Sequence, residues 1–274
     1  FFLGKKIVKT TTDSIAWTGS DGIHFFYFDS NGAIQTTTSS SVWSSIIVGD
    51  GGIPIAALYW DSAVGTSIRR IEERHGTSLS GTTHLYLHTY FGTQWKSGGA
   101  LSGFTIASGA PTVDADAEFS VLDPVVIADE DIEFTITNGS PQTLSPTAQI
   151  PIFYLAGPSS APLWHRKTAD NFPLIQSGTA GYVGANGRIA YNQLNAGTWQ
   201  LSQVTQSDYV LVHYYATTDL EFPIVGILGQ NVYTTINNAQ VGALTELQNL
   251  SNLTGLLSTE KRALATVIFQ TNSG

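Results

Sequence analysis

The chain of 274 residues contains no cysteine. A disulfide framework, a thiolate metal site and a thiol nucleophile are therefore all excluded. Methionine is absent too, even at position 1, which predicts a processed chain or a piece of a longer protein. Charge is scarce: Asp, Glu, Lys and Arg make up 12% of residues, against about a quarter in ordinary soluble domains. The net charge is −9, and the basic residues stand in isolated pairs such as Lys5-Lys6, Arg69-Arg70, Arg166-Lys167 and Lys261-Arg262. Nucleic-acid binding needs a basic patch that replaces counterions, so that role is not expected. No apolar run reaches the roughly 18 residues that span a bilayer, and no secretory leader is visible, so no membrane insertion is expected. The G-x-S-x-G elbow, H-E-x-x-H and the P-loop are missing, as is any repeat of fixed period. Neither the common hydrolase and nucleotide-binding classes nor a long regular solenoid fits.

Polarity is carried instead by Ser, Thr, Asn and Gly around short β-type runs. Ile23–Phe28 ends at Asp29-Ser30-Asn31-Gly32, and an Asn-Gly pair after such a run is a hairpin signal because both residues tolerate positive φ. Ile53–Trp60 reads as a buried strand with Pro54 near its start, where a missing N–H does little harm. Ile132, Phe134 and Ile136 alternate with Glu133, Thr135 and Thr137 before a turn at Asn138-Gly139. Gln149–Leu155, Tyr209–Ala216, Phe222–Leu228 and Ala263–Gln270 complete the set of evident strands. One segment has a different period: Ile236, Ala239, Ala243, Leu247 and Leu250 recur at helical spacing after a possible cap at Thr234-Thr235. The fold class expected is mainly β, an antiparallel sandwich-like architecture with one short helix near the C-terminus at 236–250. Residues 1–107 read as an N-terminal β region, 108–131 as an acidic Gly/Pro linker or loop, and 132–274 as a larger β domain.

Catalytic and cofactor-binding residues are not expected, but three groups could bind something. His84 and His88 bracket HLYLH, with His75 upstream. On a strand or on a helix both imidazoles could share a face, and with one carboxylate they would suit Zn or Fe. Spacing fixes no third ligand, and ordinary hydrogen-bonding histidines are the plainer reading. Residues 114–133 concentrate carboxylates, among them Asp114, Asp116, Glu118, Asp123, Asp129 and Glu130. Hard oxygens of this kind suit Ca²⁺, with Asp114 and Asp116 as candidate ligands, or a glycosidase pair. The plainer reading is a solvated acidic loop, since EF-hand spacing is lacking. Of the six tryptophans, Trp43 in a Ser-rich stretch and Trp95 in YFGTQWKSGG are the candidate glycan-stacking residues; core packing is the default for the rest. GYVGANG (181–187) reads as a turn rather than a phosphate loop.

Four segments carry a likeness to known proteins: TGSDGIHFFYFDSNGAIQ (18–35), IEERHGTSLSGTTHLYLHTYFGTQWKSG (71–98), the Gly/Asn-punctuated β stretch from Trp164 to Thr235, and LSTEKRALATVIFQT (257–271). Together and in this order they resemble tailed-phage virion structural proteins of the fibre or adsorption type, a poorly characterised group of environmental phages. The resemblance implies a non-enzymatic virion component located in the tail or a fibre, or at a head vertex, that serves host attachment. Its partners would be other virion proteins and a host surface glycan, and its assembly a homo-oligomer, a trimer above all. Ala239, Gly242 and Ala243, small and near one side of the expected helix, would let a neighbouring copy approach. The competing readings are a polysaccharide-degrading tailspike and a free-standing lectin domain.

Overall fold

A computed structural model describes residues 8–48, 51–72, 80–106, 117–121, 124–130, 132–137, 150–167, 189–219, 221–251 and 260–271. Asp114, Asp116, His75, Asn138-Gly139 and the 181–187 turn lie outside the described residues.

The first sheet is built from β1 (Gly22–Phe28), β2 (Ile34–Thr37), β3 (Ile53–Asp61) and β4 (Thr66–Glu72), in the order β2-β1-β3-β4. The expected hairpin closes as the sequence requires. Asp29 Oδ1 accepts from the N–H groups of Asn31 and Ala33, each at 2.9 Å, and Gly32 takes φ +78°. Helix α1 (Ser40–Ile47) follows β2, with Ser39 Oγ capping the Val42 N–H at 3.3 Å. Its Trp43, Ile46 and Ile47 repeat at i, i+3 and i+4 and pack with Phe25, Ala57 and Ile71.

Helix α2 (Gly81–Tyr86) runs into a π-helical turn, Leu87–Phe91. Next come β5 (Gln94–Ser97), the hairpin β6 (Leu101–Ile106) and β7 (Ala117–Val121), and then β8 (Val125–Asp129) and β9 (Ile132–Ile136). Strands β5, β8 and β9 form a three-stranded sheet. The segment read as a linker thus ends in a strand held on both sides.

The remaining strands make a central seven-stranded sheet. They are β10 (Ile152–Pro158), β11 (Leu163–Lys167), β12 (Ala190–Asn195), β13 (Thr198–Gln203), β14 (Tyr209–Thr217) and β15 (Ile224–Leu228), followed by helix α3 (Ile236–Ser251) and β16 (Lys261–Gln270). The order is β12-β13-β10-β15-β14-β16, with β11 on β10. Pairing is antiparallel among the described strands except for β10 with β15, which run parallel through Ile152↔Gly226 and Phe153↔Ile227.

This sheet is covered on both faces. Ile152, Val210, Val212, Tyr214 and Leu228 pack with Val125, Ile127 and Ile136 of the three-stranded sheet. The alternate positions Phe153, Leu155, Tyr215, Val225 and Ile227 pack with Tyr59 and Ile68 of the four-stranded sheet and Leu250 of α3. Double coverage explains why β14 and β15 read as continuous apolar runs rather than alternating ones. The mainly β expectation holds, and α3 stands where the helical period placed it, with Thr235 Oγ1 accepting from the Asn238 N–H at 3.1 Å. Helices α1 and α2 and the parallel pair are additions to it.

The N-terminal and C-terminal halves share a core and are also tied by polar bonds. The Trp164 N–H donates to Tyr59 Oη at 3.0 Å, the Arg70 N–H to Asp219 Oδ2 at 2.6 Å, and His165 meets Asp61 at 2.9 Å. The boundary drawn at 108–131 therefore does not separate two packing units.

Candidate functional site

His84 and His88 are brought together by a helix, not a strand. Ser80 opens α2: its Oγ accepts the Thr83 N–H at 3.1 Å and its carbonyl accepts the His84 N–H at 2.9 Å. The helix then widens into the π turn and stops at Gly92, whose φ of +52° and N–H bond to the Leu87 carbonyl (3.0 Å) close the last turn. Single π turns are rare and recur at functional sites. Along this helix one side carries the two histidines inward, while Tyr86, Tyr90 and Phe91 stand exposed as a ring-on-ring ridge, Tyr86–Tyr90 at 5.2 Å and Tyr86–Phe91 at 5.6 Å.

The histidines face the two-residue turn between β8 and β9. Glu130 occupies the first turn position with φ +53°, a left-handed conformation usually left to Asn or Gly. A non-glycine residue held there costs about 1–3 kcal/mol. Its side chain is 1% exposed, and its Oε1 lies 3.1 Å from His84 Nε2 and 3.1 Å from His88 Nδ1. The other ring nitrogen of His88 faces Glu260 Oε1 at 3.9 Å. Glu260, just before β16, accepts a hydrogen bond from Thr218 Oγ1 at 2.6 Å, and its backbone carbonyl accepts from the Arg69 guanidinium at 3.2 Å. Asp129 completes the group, with Thr93 Oγ1 donating to it at 3.4 Å.

Three buried carboxylates around two imidazoles perturb one another. Burial, then the Glu260 charge, push Asp129 up to about 7. Burial opposes the His88 cation, but the bond to Glu130 and the charges of Glu260 and Asp129 outweigh it, so its pKa is raised. Lys261 is brought down to about 8 by burial and by Arg69. The expectation of a solvated acidic loop therefore fails for Asp129 and Glu130. The β5–β8 pairing and α2 roof over the end of the hairpin that carries them. Within these residues His84 Nε2, His88 Nδ1 and Glu130 Oε1 form one possible ligand set, and His88, Asp129 and Glu260 another.

A second feature lies between the β12–β13 hairpin and α3. It is an open groove of about 480 Å³ walled by Tyr191, Trp199, Gln193, Gln230, Asn231 and Asn249, with Glu246 inside. Glu246 accepts from the Gln230 N–H (2.9 Å), Asn231 Nδ2 (2.9 Å) and Tyr233 Oη (2.7 Å), and His213 Nε2 lies 3.4 Å away. Burial alone would raise its pKa, but these donors together lower it. Amides and aromatic faces are the surface that a sugar's hydroxyls and ring can use; the carboxylate in the groove is already saturated with donors.

The tryptophans chosen from sequence fare differently. Trp43 is on a helix, not in a loop, and is buried with its ring stacked on Phe25 at 4.7 Å, so no face is left for a sugar. Trp95 is half exposed, and its indole N–H donates to the Gly98 carbonyl at 3.0 Å. The groove's Trp199 and Tyr191 were missed, because nothing in their local sequence separates them from core aromatics. The small residues of α3 also turn out differently. Ala239, Gly242 and Ala243 share the inward side with Glu246, Leu247 and Leu250, and Gly242 lies against the Tyr233 ring. That side is spent within the chain; the outward side carries Val241 and Leu244.

No family model matches this chain, and no curated protein or solved structure matches it either.

Proposed function

We propose that this chain is a non-enzymatic structural protein of a tailed-phage virion, part of a tail fibre, spike or adsorption structure that engages the host surface. The observation that carries the reading is the ordered likeness of the four segments across the chain. The architecture is compatible with mechanical work: a central sheet packed on both faces and stitched to the N-terminal sheet resists local opening. Assembly as a homo-oligomer, a trimer first, belongs to the same proposal. The low charge and the exposed ridge of Tyr86, Tyr90 and Phe91 are the features that support it.

The groove favours glycan binding over glycan cleavage. Glycoside hydrolysis uses an acid and a base or nucleophile, two carboxyl groups flanking the bond. Among the described residues lining the groove Glu246 is the sole acid, and its lowered pKa is the reverse of what a general acid needs. The decisive experiment is localisation: antibody labelling of intact virions, or their reconstruction by electron microscopy, should place the chain in the tail or adsorption apparatus with a copy number divisible by three. Absence from purified virions would defeat the proposal. Release of oligosaccharides from host polysaccharide, abolished by one Asp or Glu substitution, would replace it with the tailspike reading.

A further inference from the structure

We propose that His84 Nε2, His88 Nδ1 and a Glu130 carboxylate oxygen bind one divalent first-row transition ion of the Zn²⁺ type as a structural site, which pins α2 to the β8–β9 turn. This goes beyond the virion reading and stands or falls separately from it.

Three observations converge. The first is geometry: two donors sharing an ion at about 2.0–2.2 Å stand roughly 3.0–3.5 Å apart at octahedral to tetrahedral angles. Both imidazole nitrogens lie 3.1 Å from the same Glu130 oxygen, and all three ligand atoms lie within 4.8 Å of one another. The second is what stands behind the ligands. A ligating histidine usually gives its other ring N–H to a carboxylate that fixes its tautomer and orientation. His88 has that partner, since Nε2 faces Glu260, itself held by Thr218. The overlapping donor sets thereby resolve into an inner one and an outer support. The third is charge. Asp129, Glu130 and Glu260 are all buried at one place, and the Arg69 guanidinium donates to the Glu260 backbone carbonyl. Buried like charges are costly, and a dication between neutral imidazoles and carboxylates offsets them. Mixed nitrogen and oxygen donors select Zn²⁺, Co²⁺ or Ni²⁺ over Ca²⁺ or Mg²⁺, which take oxygen shells. Three protein ligands leave the ion a further position for water; the role is structural because the ligands join α2 to the end of β8.

The test uses the whole chain, stripped with EDTA, freed of chelator and titrated with Zn²⁺ or Co²⁺. One equivalent should bind per chain with a rise in melting temperature, and Co²⁺ should develop the visible absorption of a low-coordinate site. Binding should weaken as pH falls and the imidazoles protonate. The double variant H84Q/H88Q should lose the equivalent, whereas Glu260→Gln should keep it with affinity lowered about 10–100-fold. Failure of the wild-type chain to take up one equivalent at micromolar Zn²⁺ overturns the proposal without recourse to any variant. Uptake that survives in H84Q/H88Q, or a response to Ca²⁺ that equals the response to Zn²⁺, overturns it as well.

Discussion

Two of the histidine–carboxylate groups among the described residues are balanced in opposite ways. Between the central sheet and α3, a single carboxylate, Glu246, receives Tyr233, Asn231, the Gln230 backbone and His213, while His213 also reaches Thr266 at 2.8 Å. Donors exceed acceptors and the carboxylate pKa is lowered. At the end of the β8–β9 hairpin three carboxylates gather around two imidazoles, and Asp129 is pushed up to about 7. The same residue types therefore gather donors around one carboxylate in one place and gather several carboxylates in the other. Burial alone does not distinguish them; the opposite pKa directions of Glu246 and Asp129 do.

The largest expected effect comes from breaking the satisfied group. Glu246→Ala should cost about 3–5 kcal/mol, since it strands several buried donors at once; urea denaturation would measure it, and a loss below 1 kcal/mol would show that the network is ornamental. Next is Gly242→Ala. A Cβ there would collide with the Tyr233 ring and displace its hydroxyl from Glu246, at a cost of about 1–3 kcal/mol. An unchanged midpoint would mean that Tyr233 moves freely. Asp129→Asn should act with the opposite sign. In metal-free protein at pH 8 it removes an unwanted buried charge and should stabilise by about 1–2 kcal/mol. If it destabilises as Glu246→Ala does, the contrast between the two groups is false.

The most gradual readout is pH. Asp129 has a raised folded pKa, so its contribution is complete below pH 3.8 and is lost as pH rises toward about 7. His88, raised from 6.5, likewise loses its contribution as pH climbs through its folded value. Glu246, lowered from 4.5, contributes above that value and loses its share as pH falls through its folded one. Metal-free protein should therefore lose stability from about pH 4 to 7, at no more than about 1.4 kcal/mol per pH unit for each proton. Asp129→Asn should flatten that limb and leave the acid limb in place; chemical denaturation across the range would show whether it does.

Much of the fold was legible because local signals agreed with it. The alternation of Ile132, Phe134 and Ile136, the Asn31-Gly32 turn and the period of α3 each required only a few neighbouring residues. Helix α1 was hidden because Ser is a weak helix former and Ser40–Ser45 looks like a loop; its three buried apolar residues, Trp43, Ile46 and Ile47, are what hold it. Two of the three ligands of the candidate metal site, His84 and His88, were visible. Glu130 was visible only as one acid among several, since its selection depends on the β5–β8 pairing and on a turn conformation that its own sequence disfavours. The orientation of α3 shows the same limit. Period identified its inward stripe except for Ile236, which is exposed at the first turn, and did not show that Ala239 and Gly242 press on this chain rather than on a neighbour.

The Arg69–Glu260 bond joins residues 191 positions apart, and the Trp164–Tyr59 bond spans 105. A chain whose defining contacts are this distant must close long loops before most of its burial repays the lost entropy, so its search for the native state is slow, on the scale of milliseconds to seconds or longer. Such topology leaves strand edges open to other chains for an extended interval. Refolding yield should therefore fall steeply as concentration rises, and synthesis in the cell would favour dilution or chaperone custody until β16 has closed against β14.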